Sequence, residues 1–524
     1  MSSYLKIKSY PLKLIVIILL VLGIFLRFVN IDKKIYWHDE AFTSFRIAGY
    51  TVKEIKENIY INQEITVADI QKFQHINSQR TWIDALSSQA KEDGQHPPLY
   101  YLLLRFWEQV FGSSPAAIRT LTAILSLLLF PAVYWLSIEL FNSSTIGWAA
   151  IALVAISPFH LLYAQNAKQY SLWSVIVVLS SAAILRAIKL ERNHNKINWL
   201  IYGITLVIGL YTYPLTALVA LSHGIYLIII KGWRLTKSLI AYLVTFSIAF
   251  ISFTPWLYVM SLNNFKGIDW LATKTTTISL FTTILGNISR VFIDFNLDSQ
   301  TSPLLVFPLV LSILFLVAYS IYFICFHTPK HTWLFIIIII SVNILCFLLP
   351  DLLFGGRRST VARYLIPSYL FMQLSVVYLF AKQIFSNNSF SRKFWQATLA
   401  IFTLATIMSC YQISNAESWW TQIPSNNHPQ IIKIINQSKN SLLISDDSAP
   451  YNFGNLLSLS YRLHPDIKLL LVPEKEIPNI SHDYDNVFLL HPAKDLRAKL
   501  EKTTNHKVKL INKPGMLWRL EKNK

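Results

Sequence analysis

The stretch WLFIIIIISVNILCFLL, residues 333–349, contains no charged side chain. A helix needs about 20 predominantly apolar residues to cross the hydrocarbon core of a bilayer. Comparable runs recur from residue 11 to residue 413, among them LKLIVIILLVLGIFL at 12–26. The sequence therefore predicts an α-helical protein that crosses the membrane many times.

The composition agrees with this interpretation. The 524 residues are 53% hydrophobic and 14% charged, whereas a soluble domain carries roughly 25% charged residues. The net charge of +19 is assigned to cytoplasmic loops and anionic lipid head groups rather than to nucleic acid. The three cysteines lie within or beside apolar runs, so we expect no disulfide framework.

The apolar segments predict about eleven transmembrane helices, with boundaries good to about four residues. They lie at 11–29, 117–140, 145–163, 170–189, 197–212, 214–231, 237–260, 303–325, 332–350, 364–384 and 394–413. The first is longer than a signal-peptide core of about 7–15 residues, so we expect it to remain as a helix. Residues 97–112 are short and contain Arg105 and Glu108, which predicts a juxtamembrane helix on the outer interface.

Basic residues set the predicted orientation, because cytoplasmic loops are enriched in Lys and Arg. The N-terminus carries Lys6, Lys8 and Lys13, and further basic connections lie at 186–196, 231–237 and 391–393. These four basic segments lie on the same side of the membrane only if residues 97–112 do not cross it. The N-terminus is then cytoplasmic. The predicted outer segments are 30–116, 163–169, 261–302, 351–363 and everything after about 413.

Two domains follow from this pattern. Residues 1–413 form the transmembrane domain, with a first outer loop at 30–116. Residues 414–524 have ordinary soluble composition, with strand-like runs such as DIKLLLVP alternating with helix-like runs such as HPQIIKIINQS. This alternation predicts a small extracytoplasmic α/β domain. It either supports the membrane domain or recognises an acceptor; a plain structural cap is the alternative.

The pair Asp39 and Glu40, in YWHDEAFTSF at 36–45, follows the first span directly. Such a pair can be an idle solvated helix end. At a membrane boundary flanked by aromatic residues, however, a carboxylate can act as a general base toward a hydroxyl or amine. We predict the second role, with Asp39 and Glu40 as catalytic residues.

Several cations and polar groups share the predicted outer side. GGRRSTVARYLIP at 355–367 carries three arginines against the positive-inside rule, which indicates an anionic ligand such as phosphate. Binding to bulk lipid, or an ion pair with Asp351, is the alternative. The turn YAQNAKQYSLW at 163–173 suits a sugar or phosphate, or is simply a polar turn. The candidates for donor phosphate or lipid are His96, Lys168, Arg357, Arg358, Arg363 and Tyr364; those for the substrate pocket are Tyr163, Gln165, Gln169 and Tyr170.

The order of these motifs resembles the GT-C glycosyltransferases of family 39 type, which include protein O-mannosyltransferases and lipid A aminoarabinose transferases. The resemblance covers roughly residues 10–385. It rests on HDEAF, HPPLYYLLL, AIRTLTAILSLLLFPAVYWL, SPFHLLYAQNAKQYSL and ARYLIP, in this order. The family's QEAR-like run reads QNAK here, so the resemblance does not identify the donor sugar.

The resemblance implies a hexosyl- or pentosyltransferase that uses a polyprenyl-phosphate-linked sugar. Asp39 matches the family's catalytic aspartate and Glu40 its neighbour. His96 precedes the Pro-Pro pair, Lys168 and Gln169 lie in the turn that shapes the donor pocket, and Arg363 and Tyr364 match the pair that approaches the lipid phosphate. One in-line displacement, with Asp39 as general base, predicts inversion at the anomeric carbon.

The implied partners are the lipid-linked donor, membrane lipids and an acceptor that is a protein, a lipid or a glycan. The implied location is the bacterial inner membrane, with the active site and tail outside the cytoplasm. No metal or nucleotide motif stands out, so we expect no cofactor. The sequence leaves open a divalent ion that bridges Asp39 and the phosphate.

Two other functions fit a polytopic protein with an outer cluster of ionisable groups. A flippase or transporter of lipid-linked saccharides would place ionisable residues near the bilayer midplane, whereas the predicted spans here are nearly free of charge. A polymerase or ligase of surface polysaccharide would share the donor. Its chemistry would rest on a large late loop rather than on an early Asp–Glu pair.

Overall fold

The computed structural model describes residues 9–190, 196–263, 269–297, 302–449, 451–474, 476–480, 484–504 and 506–522. Lys6, Lys8 and residues 191–195, which contribute to the predicted orientation, lie outside the described residues. The chain forms two compact units. The first contains Met1–Val29, Asp93–Tyr100 and Arg119–Ser414, and the second contains Asn30–Glu92, Tyr101–Ile118 and Asn415–Lys524.

The described helices, in chain order, are α1 (Ser9–Phe28), α2 (His38–Ala48), α3 (Val52–Ile59), α4 (Val67–Gln71), α5 (Trp82–Glu92), α6 (Leu99–Phe111), α7 (Pro115–Leu127), α8 (Leu129–Phe141), α9 (Ser144–Ala155), α10 (Pro158–Ala164), α11 (Tyr170–Lys189), α12 (Lys196–Thr212), α13 (Thr216–Lys231), α14 (Lys237–Leu262), α15 (Thr277–Arg290), α16 (Pro303–His327), α17 (Lys330–Phe354), α18 (Ile366–Gln383), α19 (Ser389–Asn415), α20 (His428–Asn436), α21 (Asn452–Ser460) and α22 (Lys494–Thr504). The strands are β1 (Glu64–Thr66), β2 (Ser441–Asp446), β3 (Lys468–Val472), β4 (Asn486–Leu490), β5 (His506–Asn512) and β6 (Leu517–Lys522).

The helices confirm the predicted membrane class. Within the described residues, 7 helices are long and apolar enough to span a bilayer, or 8 if the bent pair α9 and α10 is one span. Helices α12 and α13 are apolar but shorter, and α1 coincides with the first predicted span. Each of the eleven predicted segments thus coincides with helical structure. Helix α6 has 13 residues, about 20 Å in length, which is short for a bilayer core of about 30 Å.

The break between α9 and α10, with a bend of 60°, is stabilised by buried polar groups in the first unit. Arg27, which is fully buried, donates from Nη1 to the carbonyls of Ala155 at 2.8 Å and Gly23 at 2.7 Å, and from Nη2 to that of Val154 at 3.2 Å. The Cys410 thiol donates to the Ile156 carbonyl. The carbonyls that a broken helix leaves without donors are therefore satisfied inside the protein, as a membrane segment requires.

Arg27→Met should destabilise this unit strongly. Each buried carbonyl that loses its donor costs about 1–3 kcal/mol, and methionine restores only the apolar volume. We expect a marked fall in the thermal unfolding midpoint of the protein in detergent. The matched control is Arg392→Met, because Arg392 donates a single bond to the Ser386 carbonyl at 3.2 Å. Equal midpoints for the two variants would contradict this role of Arg27.

The second unit is built on a six-stranded sheet with the order β1-β3-β2-β4-β6-β5. Strand β2 pairs in parallel with β3 and β4, and the other pairs are antiparallel. Every residue of β2 is buried, as expected for a central strand covered on both faces. The predicted C-terminal α/β fold is confirmed. The edge strand β1, however, comes from the first outer loop at 30–116 and not from the C-terminal residues.

The two faces of this sheet carry different helices. On one face, Leu443 joins a core that contains Trp37, Phe45 and Phe453. On the other face, Leu442 and Ile444 pack with residues of α22. Helix α2, with the Asp39–Glu40 pair in its first turn, therefore belongs to the core of the sheet.

We expect the buried His428 to make the stability of this unit depend on pH. It is 1% exposed, and its Nδ1 lies 2.9 Å from the Ser458 hydroxyl. Burial first, and then the nearby His38 and His491, lower the pKa of His428 to about 3. In the unfolded chain its pKa is about 6.5. Between these values the unfolded chain binds a proton that the folded chain does not, so stability falls as pH falls below about 6.5, by up to about 1.4 kcal/mol per pH unit.

We therefore expect the thermal unfolding midpoint of the protein to fall between pH 7 and pH 5. His428→Gln removes this titration and should flatten the pH dependence. His506→Gln, which replaces a histidine of the edge strand β5, is the control. A pH dependence that is the same in wild type and His428→Gln would show that another group is responsible.

Candidate functional site

The turn at 93–98 is held by one carboxylate of the first unit. Asp93 Oδ1 lies 2.8 Å from His96 Nδ1 and accepts from Gln95 Nε2 at 3.0 Å. The indole of Trp256, in α14, donates to the Gly94 carbonyl at 2.9 Å. The turn is thus fixed to a membrane helix, and the ring of His96 has a defined orientation.

An aromatic cluster is centred on Tyr213, in the connection between α12 and α13. Its ring centroid lies 6.4 Å from that of His96, with the rings nearly parallel, and 5.8 Å from that of Tyr170. It also lies 6.4 Å from the ring of Tyr364 and 4.9 Å from that of Trp173. Three segments that are far apart in the sequence, at 96, 170 and 364, therefore meet at this residue.

Arg363 brings a positive charge to the cluster. Its Cζ lies 5.7 Å from the ring centroid of Tyr170 and 5.8 Å from that of Tyr364, within the range of cation–π attraction. The ring of Tyr163 contacts that of Tyr170, with centroids 5.4 Å apart. A guanidinium held between aromatic faces and partly exposed suits an anionic group such as phosphate.

The polar turn 165–169 contains residues with different environments. Gln165 donates to the carbonyls of Leu26 and Val29 at 2.9 and 3.1 Å, so it ties the turn to the end of α1. Lys168 is 3% exposed. Gln169 is fully buried, and neither its Oε1 nor its Nε2 has a hydrogen-bond partner among the described residues. A buried amide without a partner is costly, and a bound molecule at this site would satisfy it.

Arg357 and Arg358, also in the first unit, contact partners outside the aromatic cluster. Arg358 donates to Asp351 at 2.9 Å, the internal ion pair that the sequence also allowed, and Arg357 lies 5.6 Å from the ring centroid of Trp270. Gly356, at φ +139°, wraps closely around the pair, since a Cβ there would lie 2.7 Å from Asp351 Oδ1. Gly356 therefore lets the backbone approach a protein ion pair.

Asp39 and Glu40 belong to the second unit. The Trp37 N–H donates to Glu40 Oε2 at 3.3 Å, so Glu40, which is fully buried, caps the start of α2. Asp39 is partly buried, and its carbonyl accepts from Thr43 Oγ1 at 2.9 Å. The two neighbouring carboxylates thus differ in environment. The Glu40 carboxylate accepts a hydrogen bond from the backbone at the start of α2, and Asp39 is the more exposed residue of the pair.

Sequence reasoning missed Tyr213 and Asp93. Successive predicted spans place their connections on alternate sides of the membrane. The alternation that places 163–169 on the outer side also places residue 213 there, in the short connection YTYPLT at 211–216. A tyrosine directly before a proline at a helix break was thus a usable signal. Asp93 had none, because an aspartate three residues before a histidine is common in turns. Among the described residues, no group of three or more His, Cys, Asp or Glu side chains is arranged to hold a metal ion.

Comparison with known proteins gives one family match. Residues 95–259 match the model of the family described as dolichyl-phosphate-mannose-protein mannosyltransferase. This range includes His96, the turn at 163–173 and Tyr213, although it covers less than half of the chain. No curated protein matches the sequence.

Solved structures share the fold over nearly the whole chain. The structure is similar to ArnT from Cupriavidus metallidurans, bound to undecaprenyl phosphate and in the apo state, each with 11% identity, a TM-score of 0.55 and coverage of 96% of this chain and 97% of that chain. It also resembles the Archaeoglobus fulgidus oligosaccharyltransferase tethered to an acceptor peptide, with 13% identity, a TM-score of 0.50 and coverage of 89% and 64%. The predicted resemblance is therefore confirmed: residues 95–259 match the mannosyltransferase family model, and this membrane protein shares its fold with ArnT and with the oligosaccharyltransferase.

Proposed function

We propose that this protein transfers a sugar from a polyprenyl-phosphate-linked donor to an acceptor on the outer face of the membrane. The description of the matched family names a dolichyl-phosphate-linked sugar, and one similar structure contains bound undecaprenyl phosphate. The proposal places the N-terminus in the cytoplasm of a bacterial cell, the protein in the inner membrane, and the sheet unit outside the cytoplasm.

One observation carries the proposal: Arg363 lies between the rings of Tyr170 and Tyr364, in a cluster that also contains His96 and Tyr213. In our proposal the guanidinium binds the donor phosphate. The tyrosine hydroxyls and rings bind the adjoining sugar and the first part of the lipid, and the amide of Gln169 gains its partners from the bound donor. His96, oriented by Asp93, contributes a ring nitrogen to the binding of the donor.

The other predicted donor contacts have a second role in this proposal. Arg358, paired with Asp351, shapes the loop that precedes Arg363. Arg357, which is exposed on Trp270, contacts lipid head groups. Gln165 fixes the turn to α1, and Lys168 adds positive charge to the turn. These assignments separate residues that bind the donor from residues that hold the site in shape.

The proposed reaction is a single displacement. An acceptor hydroxyl or amine loses its proton to the Asp39 carboxylate and forms a bond to the anomeric carbon of the sugar. The bond from that carbon to the phosphate oxygen breaks, and the electron pair leaves with polyprenyl phosphate. The guanidinium of Arg363 stabilises the charge that develops on this leaving group. Attack from the face opposite the phosphate inverts the anomeric configuration, and no nucleotide takes part.

Lipid analysis tests the donor assignment. Protein purified from its native membranes should carry a polyprenyl phosphate or a polyprenyl-phosphate sugar, detected by mass spectrometry of the extracted lipids. Tyr364→Ala should lose this lipid, whereas Tyr451→Ala, in the sheet unit, should retain it. Co-purification of bulk phospholipid alone, equal in all three proteins, would contradict the proposed donor.

A further inference from the structure

Helix α2, which carries Asp39 in its first turn, lacks the usual side chain at its N-cap. The N-cap residue is Trp37, which has no oxygen to accept a hydrogen bond from the first turn. Ser, Thr, Asp and Asn are preferred there because the first N–H groups of a helix have no partner within it. The acceptor comes instead from a distant residue of the same unit: the His38 N–H donates to Ser425 Oγ at 3.0 Å.

Two further hydrogen bonds join the same segments. The Ile35 N–H donates to the Glu417 carbonyl at 2.7 Å, and the Ile35 carbonyl accepts from Gln422 Nε2 at 3.2 Å. Residues 35–38 therefore lie along residues 417–425, and a backbone N–H at each end of this short segment donates a hydrogen bond to them. Ser425 is fully buried, and its own N–H donates to the Gln422 carbonyl at 2.7 Å, so the capping hydroxyl is itself held in place.

Helix α21 fixes the side chains on either side of Asp39. A Cβ built on Gly454 would lie 2.3 Å from His38 Cε1 and Nδ1 and 2.6 Å from Phe42 Cε2. The rings of His38 and Phe42 are stacked with centroids 4.7 Å apart. Only glycine permits this close approach of the two helices, so any side chain at 454 would push the start of α2 away.

We propose that Ser425 and Gly454 are positioning residues that fix the carboxylate of Asp39 for proton transfer. The C-terminal part of the sheet unit then serves the reaction through the first turn of α2. This inference rests on the proposed function, because it assumes that Asp39 is the general base. It favours the supporting role of the C-terminal residues over acceptor recognition. A misplacement of about 1 Å can cost about 10²-fold in rate.

The test compares variants of the full-length protein in lipid nanodiscs. Turnover is measured as polyprenyl phosphate released from a lipid extract of the native membranes. Hydrogen exchange of the peptide that covers residues 36–45 reports the start of α2 independently of activity. Ser425→Ala and Gly454→Ala should lower kcat about 10- to 100-fold and accelerate exchange in this peptide. Ser425→Thr, which keeps the hydroxyl, should restore both.

Two matched controls separate positioning from general destabilisation. Ser445→Ala removes another buried hydroxyl of the unit, which donates to the Leu490 carbonyl at 3.2 Å. Gly515→Ala crowds another close contact, since a Cβ there would lie 2.7 Å from Ile431 Cδ1. Both controls should keep the wild-type kcat and the wild-type exchange at 36–45.

The outcomes are distinguishable. Unchanged exchange at 36–45 in Ser425→Ala and Gly454→Ala would overturn the inference. It would also be overturned if Ser445→Ala and Gly515→Ala, at the same thermal stability, lost as much kcat as these two variants. If Asp39→Asn abolishes turnover while Ser425→Ala and Gly454→Ala leave it unchanged, the positioning role fails alone. If Asp39→Asn itself keeps full turnover, the proposed general base fails, and the positioning role fails with it.

Discussion

Asp39→Asn should abolish sugar transfer while leaving binding of the lipid donor intact. The substitution preserves the shape of the side chain but removes the group that accepts the acceptor's proton. General base catalysis contributes about 10²–10⁴-fold, so we expect kcat to fall by at least about 10²-fold. Release of polyprenyl phosphate from donor lipid measures kcat, and titration with undecaprenyl phosphate measures binding.

The control for this prediction is Asp69→Asn, which changes another aspartate in the first turn of a helix of the same unit. Asp69 Oδ2 accepts from the Thr66 N–H at 2.9 Å and from the Thr66 hydroxyl at 2.7 Å, and these bonds lower its pKa. Loss of the Asp69 carboxylate should lower the stability of the protein and leave kcat unchanged. Full activity in Asp39→Asn, or equal losses in both variants, would refute the role of Asp39.

Arg363→Ala should have the second large effect, on donor binding. A hydrogen bond to a charged group contributes about 1.5–3 kcal/mol, so its loss should weaken the binding of undecaprenyl phosphate about 10- to 100-fold. Arg363→Lys should recover little, because an ammonium group neither binds phosphate bidentately nor stacks on Tyr170 and Tyr364 as a guanidinium does. Titration of the nanodisc-embedded protein with undecaprenyl phosphate gives both dissociation constants.

Arg497→Ala is the matched control for Arg363. Arg497 also lies over an aromatic ring, 4.1 Å from the centroid of Trp518, but on the sheet of the second unit. Its removal should leave the dissociation constant at the wild-type value. Equal dissociation constants for Arg363→Ala and wild type would show that the phosphate is bound elsewhere.

The membrane helices could be predicted from the sequence because each is a long apolar run between charged or polar connections. The break at Ile156 and Ser157 could not, since it depends on Arg27 and Cys410, which reach it from distant helices. The first predicted span, 11–29, includes Arg27, but the sequence alone does not indicate which distant groups this side chain contacts. Its four hydrogen bonds, three of them to carbonyls, become visible only in the folded unit.

The sheet shows the same limit. The strands at 441–446, 468–472 and 486–490 follow from their apolar runs, whereas β1 has three residues and polar neighbours. It pairs with β3 across about 400 residues of sequence, a contact that no local pattern encodes. For the same reason Ser425 and Gly454 could not be related to Asp39: a serine and a glycine in a distant loop and helix carry no local sign of their partner.

The candidate site was predictable in part. His96, Tyr170, Arg363 and Tyr364 were chosen from motifs, and the first unit brings them together around Tyr213. The arginine-rich loop looked uniform in sequence, but in the structure its members contact different partners. Arg358 is paired with Asp351, a residue seven positions away whose burial could not be read from the sequence. The role of each residue in the reaction stays a prediction.

One measurement tests the central proposal most directly: the stoichiometry of polyprenyl phosphate release in a sealed proteoliposome loaded with donor lipid from the native membranes. The proposal predicts that each sugar transferred to acceptor releases one polyprenyl phosphate, and that Asp39→Asn stops both together. Movement of intact lipid-linked sugar across the bilayer, with no polyprenyl phosphate released, would instead identify a transporter and contradict the proposed transferase.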